Sequence, residues 1–392
     1  MTKPKLLFIC SRAPYPPIGG DRLKNYYLLP ELKKTFEITL VCMSGQPLST
    51  EGRQYLEQHG TLYFWHKSMI DYAGNVASWP ARLPMPLQVS LYYFKDIAEQ
   101  IKQLALNHDA IFCNLIRTAA YAHDLKIPKF CDMADNMSGY YQELLRSRKI
   151  SPALIYSMLD QSYIQRYEER VVQSFDQSFL FNPDELSKYN ASTKLTLIPH
   201  GVNPVLLEKA TEPSVEYRNS VVFLGKMDTL PNATAVEWFA NEVLPLISES
   251  IHFVIIGANP PPRIRALASN RVKVLGFVED PYPALRGALA VVAPMQIGSG
   301  IQNKVLEAMA VGGLCILTPS PAKALESAQD GREFLIARDS AEFAETIQKI
   351  AYAPEEYDQI REVARRYIME NHSWRRAGTI YTKAILDHLS IA

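Results

Sequence analysis

Two Rossmann-like, doubly wound α/β domains facing a cleft are what the sequence predicts, and three observations predict them. The chain has 392 residues, 47% hydrophobic and 21% charged, which is enough apolar mass for two cores at roughly 150 residues per domain. Short runs rich in β-branched and aromatic residues alternate with longer amphipathic stretches, the sign of β-α-β units around a parallel sheet. The alternation pauses in a polar stretch that carries Pro204 and Pro213 and then starts again.

In the first half, apolar runs predict strands at Lys5–Cys10, Glu37–Met43, Thr61–Trp65, Asp109–Cys113, Lys129–Cys131, Gln177–Phe181 and Lys194–Ile198. Such nearly unbroken runs fit a parallel sheet covered on both faces. The clearest helix is Leu154–Ser174, where Ile155, Met158, Leu159, Tyr163, Tyr167 and Val171 recur at helical spacing above a charged face. The second half predicts strands at Val221–Leu224, His252–Ile256, Val272–Leu275, Leu289–Ala293, Leu314–Leu317 and Phe334–Ile336. Helices fall between and after them at Ala233–Ile247, Gln302–Val311, Ala341–Ala351, Glu355–Asn371 and Trp374–Leu389. The expected division is a first domain over 1–204, a second over 205–372 and a terminal helix over 373–392.

Composition excludes several functions. Forty-one basic residues balance 41 acidic ones, so there is no cationic excess for a nucleic-acid backbone. No stretch approaches the ~18 apolar residues of a membrane span, and the amino terminus reads directly into a strand rather than a signal sequence; the expected location is cytoplasmic. The five cysteines are scattered singly, with neither disulfide nor metal-site spacing, and no two histidines have ligand spacing. No metal and no cofactor are expected.

In this architecture ligands sit beyond the carboxyl ends of the strands, so the loops there carry the chemistry. The loop after the first strand ends in Gly19-Gly20-Asp21-Arg22. A glycine pair before a helix lets backbone amides approach a phosphate, and Arg22 adds a fork of donors; a plain Pro/Gly turn has the same residues. The segment Pro294 to Gly313 is richer. A strand ends in Gly298-Ser299-Gly300, Ile301 follows, and Lys304 and Glu307 share a face at the start of a helix. Lysine meets phosphate charge and a carboxylate accepts ribose hydroxyls, although the same spacing also makes an ordinary surface ion pair. Asp132 and Asp135, with Asn136, follow another strand end, where they either contact sugar hydroxyls and take a proton or cap a turn.

Gly298-x-Gly300-x-x-x-Lys304-x-x-Glu307-Ala308-Met309-Ala310-x-Gly312 resembles the donor signature of the family 4 retaining glycosyltransferases, which have the two-Rossmann GT-B fold. Ile198-Pro199-His200-Gly201-Val202-Asn203, Phe223-Leu224-Gly225-Lys226 and Gly276-Phe277-Val278-Glu279-Asp280 are similar to further motifs of that family, in its order. Ser299 stands where the family's first signature glutamate usually stands. The stretch from Phe223 to Asn232 with Trp238-Phe239 resembles a branch associated with bacterial exopolysaccharide synthesis.

The resemblance implies a hexosyltransferase taking a sugar from a UDP- or GDP-type donor to a glycan or lipid-linked acceptor in surface-polysaccharide or glycolipid assembly, with retention. Lys226 and Lys304 would neutralise the diphosphate, as catalytic groups beside Asp132 and Asp135. Gly19, Gly20, Arg22, His200, Phe277, Val278, Gly298, Ser299, Gly300, Ile301 and Glu307 complete the donor site, and the terminal helix would pack back on the first domain. The rivals are a nucleotide-sugar epimerase or hydrolase of the same fold and a non-catalytic nucleotide-sugar-binding scaffold. Basic residues at Arg146, Arg148 and Lys149, with Trp79, Leu83, Met85, Leu87, Tyr92, Tyr93 and Phe94, are the candidates for peripheral membrane contact; ordinary packing is the competing explanation.

Overall fold

A parallel sheet buries both faces, so its strands need apolar side chains on each, and these strands have them. The computed structural model describes residues 2–18, 20–134, 136–147, 152–189, 192–208, 211–297 and 301–389. The chain divides into two units, Met1–Gly201 with Trp374–Ala392, and Val202–Ser373.

The first unit holds β1 (Lys5–Cys10), β2 (Glu37–Ser44), β3 (Thr61–His66), β4 (Ala110–Asn114), β5 (Lys129–Ala134), β6 (Gln177–Leu180) and β7 (Leu195–Leu197) in the order β3-β2-β1-β4-β5-β6-β7. All pairings are parallel, with Phe8 of β1 opposite Leu40 on one side and Phe112 on the other. β4 is buried throughout, whereas the edge strand β3 is half-exposed along its length.

The second unit holds β8 (Ser220–Leu224), β9 (His252–Ile256), β10 (Val272–Gly276), β11 (Ala290–Ala293), β12 (Cys315–Leu317) and β13 (Leu335–Ile336) in the order β10-β9-β8-β11-β12-β13. Strand order therefore reverses between β1 and β4 in one sheet and between β8 and β11 in the other. These switch points leave crevices beyond the strand ends, where ligands bind in folds of this kind.

Every strand expected from sequence is present, with ends displaced by a few residues. The helix expected over Ala233–Ile247 is not continuous. It runs as α-helix over Leu230–Trp238, widens to a π turn at Phe239–Val243 and tightens to a 3-10 turn at Leu244–Leu246. Pro245 supplies the reason, since it has no N–H and its ring clashes with the preceding turn. The stretch expected as one helix over Glu355–Asn371 likewise splits into a 3-10 turn at Pro354–Tyr357 and a helix at Asp358–Asn371.

The helix Trp374–His388 lies in the first unit, packed on the helix Gly20–Lys33. A buried polar triad ties these helices to the sheet. Lys24 Nζ donates to Asp132 Oδ2 at 2.5 Å, and Tyr381 Oη donates to the same oxygen at 2.7 Å. All three residues are buried. Gly201 lies against Trp374, whose ring atoms would stand 2.5 Å from any Cβ placed there.

Removing one member of a buried ion pair strands the other charge. We therefore expect Asp132→Ala to cost about 3–5 kcal/mol in chemical denaturation. Lys24→Met added to it should restore part of that loss, a coupling that additive effects would contradict.

Candidate nucleotide-binding site

The second switch point is bounded by the loops that follow β8 and β11. After β8 the chain turns at Gly225. The Gly225 amide donates to Ile256 O at 2.9 Å, and the Gly225 carbonyl lies 1.7 Å from where a Cβ of Gly257 would be. Gly257 needs glycine because two backbones meet there, and a Cβ at Gly225 would press on the Asn232 side chain at 2.8 Å. Lys226 follows, its side chain 60% exposed and its Nζ 3.2 Å from Asp228.

The loop after β11 is pinned where it leaves the sheet, since Thr318 Oγ1 donates to Met295 O at 3.0 Å. It then enters the helix Asn303–Ala310. Among the described residues no side chain caps its first amides, so the positive dipole end of the helix stands at this strand end. Lys304 lies in the first turn, and among the described residues of this unit it is the one buried lysine. Its Nζ donates to Asn232 Oδ1 at 2.6 Å, lies 3.6 Å from Met295 Sδ and sits 4.4 Å over the Phe223 ring. No carboxylate neutralises it among the described residues. Burial lowers its pKa from 10.5 to about 7, since desolvation penalises the charged form.

Glu307 stands one turn on, half-buried, its carboxyl group without a hydrogen-bond partner among the described residues. Burial raises its pKa from 4.5 to about 7. The helix thus presents a lysine and a carboxyl group, each desolvated and each short of the partner it would need to be comfortable when charged. This disposes of the ordinary surface ion pair that the spacing also allowed. Ile301 is half-buried against the core of the unit, as is Val278. Phe277, just after Gly276 at φ +71°, is 76% exposed, so its ring stands at the open end of the sheet.

In the first unit, Gly20 opens the helix Gly20–Lys33 and is exposed, and Arg22 is half-buried on its first turn. Arg117, unread in the sequence, braces the preceding loop. Its Nε donates to Ser11 Oγ at 2.6 Å, its Nη2 to Asp21 at 3.0 Å, and its guanidinium lies 4.5 Å from the Tyr92 ring centre.

Two expected site residues have other tasks. Asp132 is fully buried and occupied by Lys24, Tyr381 and the Ala134 amide, so it holds the first unit together and does not take a proton from an incoming hydroxyl. His200 is buried, its ring edge-on to Phe181 and Trp374 and its Nδ1 2.9 Å from Gly201 O. It packs the point where the chain leaves the first unit. Gly19, Asp135, Gly298, Ser299 and Gly300 lie outside the described residues. Asn136, beside Asp135, is fixed by Glu185, Glu168 and Tyr189, with Glu168 also capping the amides of Met137 and Ser138.

Of the aromatic and aliphatic group considered for membrane contact, Trp79, Met85, Tyr92 and Tyr93 are half-buried and Leu83 is exposed. Leu87 and Phe94 are buried, and Trp79 Nε1 donates to Met85 O. Residues 148–151 are outside the described set. No helix among the described residues is long and apolar enough to cross a membrane.

Residues 218–352 match the sequence profile of the family described as glycosyl transferases group 1, so the second unit carries a domain of that kind. No curated protein matches the chain. Among solved structures, sucrose-phosphate synthase (tll1590) from Thermosynechococcus elongatus superposes with a TM-score of 0.72 at 13% identity, covering 100% of each chain. TarM gives 0.70 at 10%, covering 98% of this chain and 99% of its own. Anabaena Alr3699/HepE in complex with UDP-glucose gives 0.67 at 14%, covering 99% and 100%. At such identity the likeness establishes the fold, which is GT-B.

A sign follows for stability. Between about 7 and lysine's ordinary 10.5 the unfolded chain holds a proton at position 304 that the folded chain has released. Stability contributed through this group therefore rises with pH across that window, and the penalty is full below about 7. Lys304→Met should stabilise the ligand-free protein by a few kcal/mol near pH 6 and by less near pH 9. Thermal unfolding at the two pH values checks this; destabilisation at both would contradict it.

Proposed function

We propose that the chain is a glycosyltransferase that moves a hexose from a UDP- or GDP-type sugar to a glycan or lipid-linked acceptor in surface-polysaccharide or glycolipid assembly, with retention. The observation that carries this reading is the buried Lys304 ammonium with no carboxylate partner among the described residues, at the switch point of a unit with a group 1 glycosyltransferase profile. A diphosphate supplies the missing charge. Glu307 accepts ribose hydroxyls one turn along, and Phe277 and Val278 border the base. HepE, with the same fold, was solved with UDP-glucose bound, which favours that donor class here.

The chemistry asked of these residues is charge stabilisation. The bond from the anomeric carbon to the diphosphate oxygen breaks, the acceptor oxygen bonds to that carbon on the same face, and the acceptor proton passes to the departing diphosphate. Negative charge gathers on the leaving group, where Lys304, Lys226 and the amides at the head of the helix Asn303–Ala310 offset it. In this reading no metal is required and turnover survives a chelator. In this reading the enzyme is cytoplasmic, and any contact with the inner face of the membrane is peripheral.

Thermal shift against UDP, GDP, ADP and their sugars tests the donor class, since a bound donor stabilises the fold by mass action; no shift with any of them overturns the reading. Lys304→Ala should cut turnover by about 10²–10³-fold, and Lys226→Ala, at an exposed position, should raise KM more than it lowers kcat. Consumption of donor without acceptor to give an isomer would instead identify an epimerase, and binding without any turnover a scaffold.

A further inference from the structure

The chain buries two lysines among its described residues, and it treats them differently. Lys24 faces the carboxylate of Asp132 at 2.5 Å. Lys304 faces the neutral amide of Asn232 at 2.6 Å. A carboxylate cancels a charge; an amide oxygen directs it and leaves it intact.

The orientation of that amide is determined. Asn232 Nδ2 donates to the backbone carbonyl of Lys226 at 2.9 Å, which turns Oδ1 toward Lys304. Gly225 makes the room, because a Cβ there would lie 2.8 Å from Asn232 Nδ2. The loop after β8, the helix Leu230–Trp238 and the helix Asn303–Ala310 are thereby joined through one side chain.

We propose that Asn232 is a positioning residue for the donor diphosphate, holding the Lys304 ammonium at the switch point while leaving its charge for the ligand. The inference rests on the reading of this site as a nucleotide-sugar site and adds the residue that keeps the lysine both aimed and unneutralised. An aspartate in its place would set a carboxylate oxygen against the Lys226 carbonyl and take up the charge of Lys304. An alanine would leave the ammonium, among the described residues, only the Met295 thioether and the Phe223 ring.

Other ionisable groups near this contact are Lys226 and Asp228, paired with each other and turned to solvent, and Glu307 on the next turn. Arg286, Arg361, Arg365 and Cys315 lie on elements packed against the helix of Lys304. Arg365 donates to Ala310 O and Arg361 to Ala288 O and Leu289 O, while Cys315 Sγ lies near Val305 O.

The test is the pH dependence of binding for UDP-glucose and for GDP-mannose, measured by titration calorimetry from about pH 6 to about pH 9. In the native protein, affinity for the one that binds should fall above about 7, as Lys304 loses its proton. Asn232→Ala, which withdraws an acceptor from the charged form, should move that fall to lower pH. Asn232→Asp should move it to higher pH and lower the affinity below it by about tenfold or more. Opposite displacements are the result expected, and a purely structural asparagine would not produce them. If both variants keep the native pH profile while Lys304→Met abolishes binding, the role of Asn232 is overturned and the site stands. If Lys304→Met binds either nucleotide sugar as the native protein does, the reading of the site itself fails.

Discussion

An ammonium buried without a carboxylate is costly, and the second unit spends much of its local structure on keeping one. Lys304 lies under the strand ends between a thioether, an aromatic face and an amide oxygen. Each of these tolerates a positive charge, and none removes it. The surrounding features follow from that constraint. Gly257 lets its backbone close on that of Gly225, Gly225 leaves room for the Asn232 amide, Thr318 pins the loop that leads to the lysine, and the helix amino end adds donors with no side-chain cap among the described residues. An anion arriving there meets donors already in place, so little reorganisation remains to be made on binding.

The first unit makes the opposite choice with the same residue types. Lys24, Asp132 and Tyr381 close on one another in the interior, satisfied and inaccessible. Their arrangement tethers a helix more than two hundred residues away in sequence to the strand that carries Asp132. Polar groups there specify how the terminal helix seats; polar groups at the second switch point wait for a partner. The contrast separates a structural charge from one available to a ligand better than burial alone does.

Much of this was legible in the sequence because parallel strands are apolar on both faces and stand out as short runs, as Leu6–Cys10 and Phe253–Ile256 do. Lys304 and Glu307 were legible because a glycine-flanked strand end followed by a helix is a local pattern. Asp132 was misread because a strand-end carboxylate looks the same whether it faces solvent or a buried lysine. A signal did exist: Lys24 and Asn25 precede Leu28, Leu29 and Leu32 at helical spacing, which puts them on the buried face. The role of Asn232 had no such sign, since its partner is 72 residues distant and the contact exists only after β8 and β11 come together. The break at Pro245 was visible as a proline, but the apolar period around it masked the consequence.

Burial leaves Lys304 sharing its time between ammonium and amine near neutral pH, and a diphosphate would draw it to the charged form. Proton uptake on binding measures this most directly, by calorimetry of UDP-glucose near pH 8 in buffers of different ionisation enthalpy, with GDP-mannose in parallel. Uptake approaching one proton is expected for the sugar nucleotide that binds. Binding with no proton uptake would show that the lysine is already charged in the free protein and that its burial does not lower its pKa.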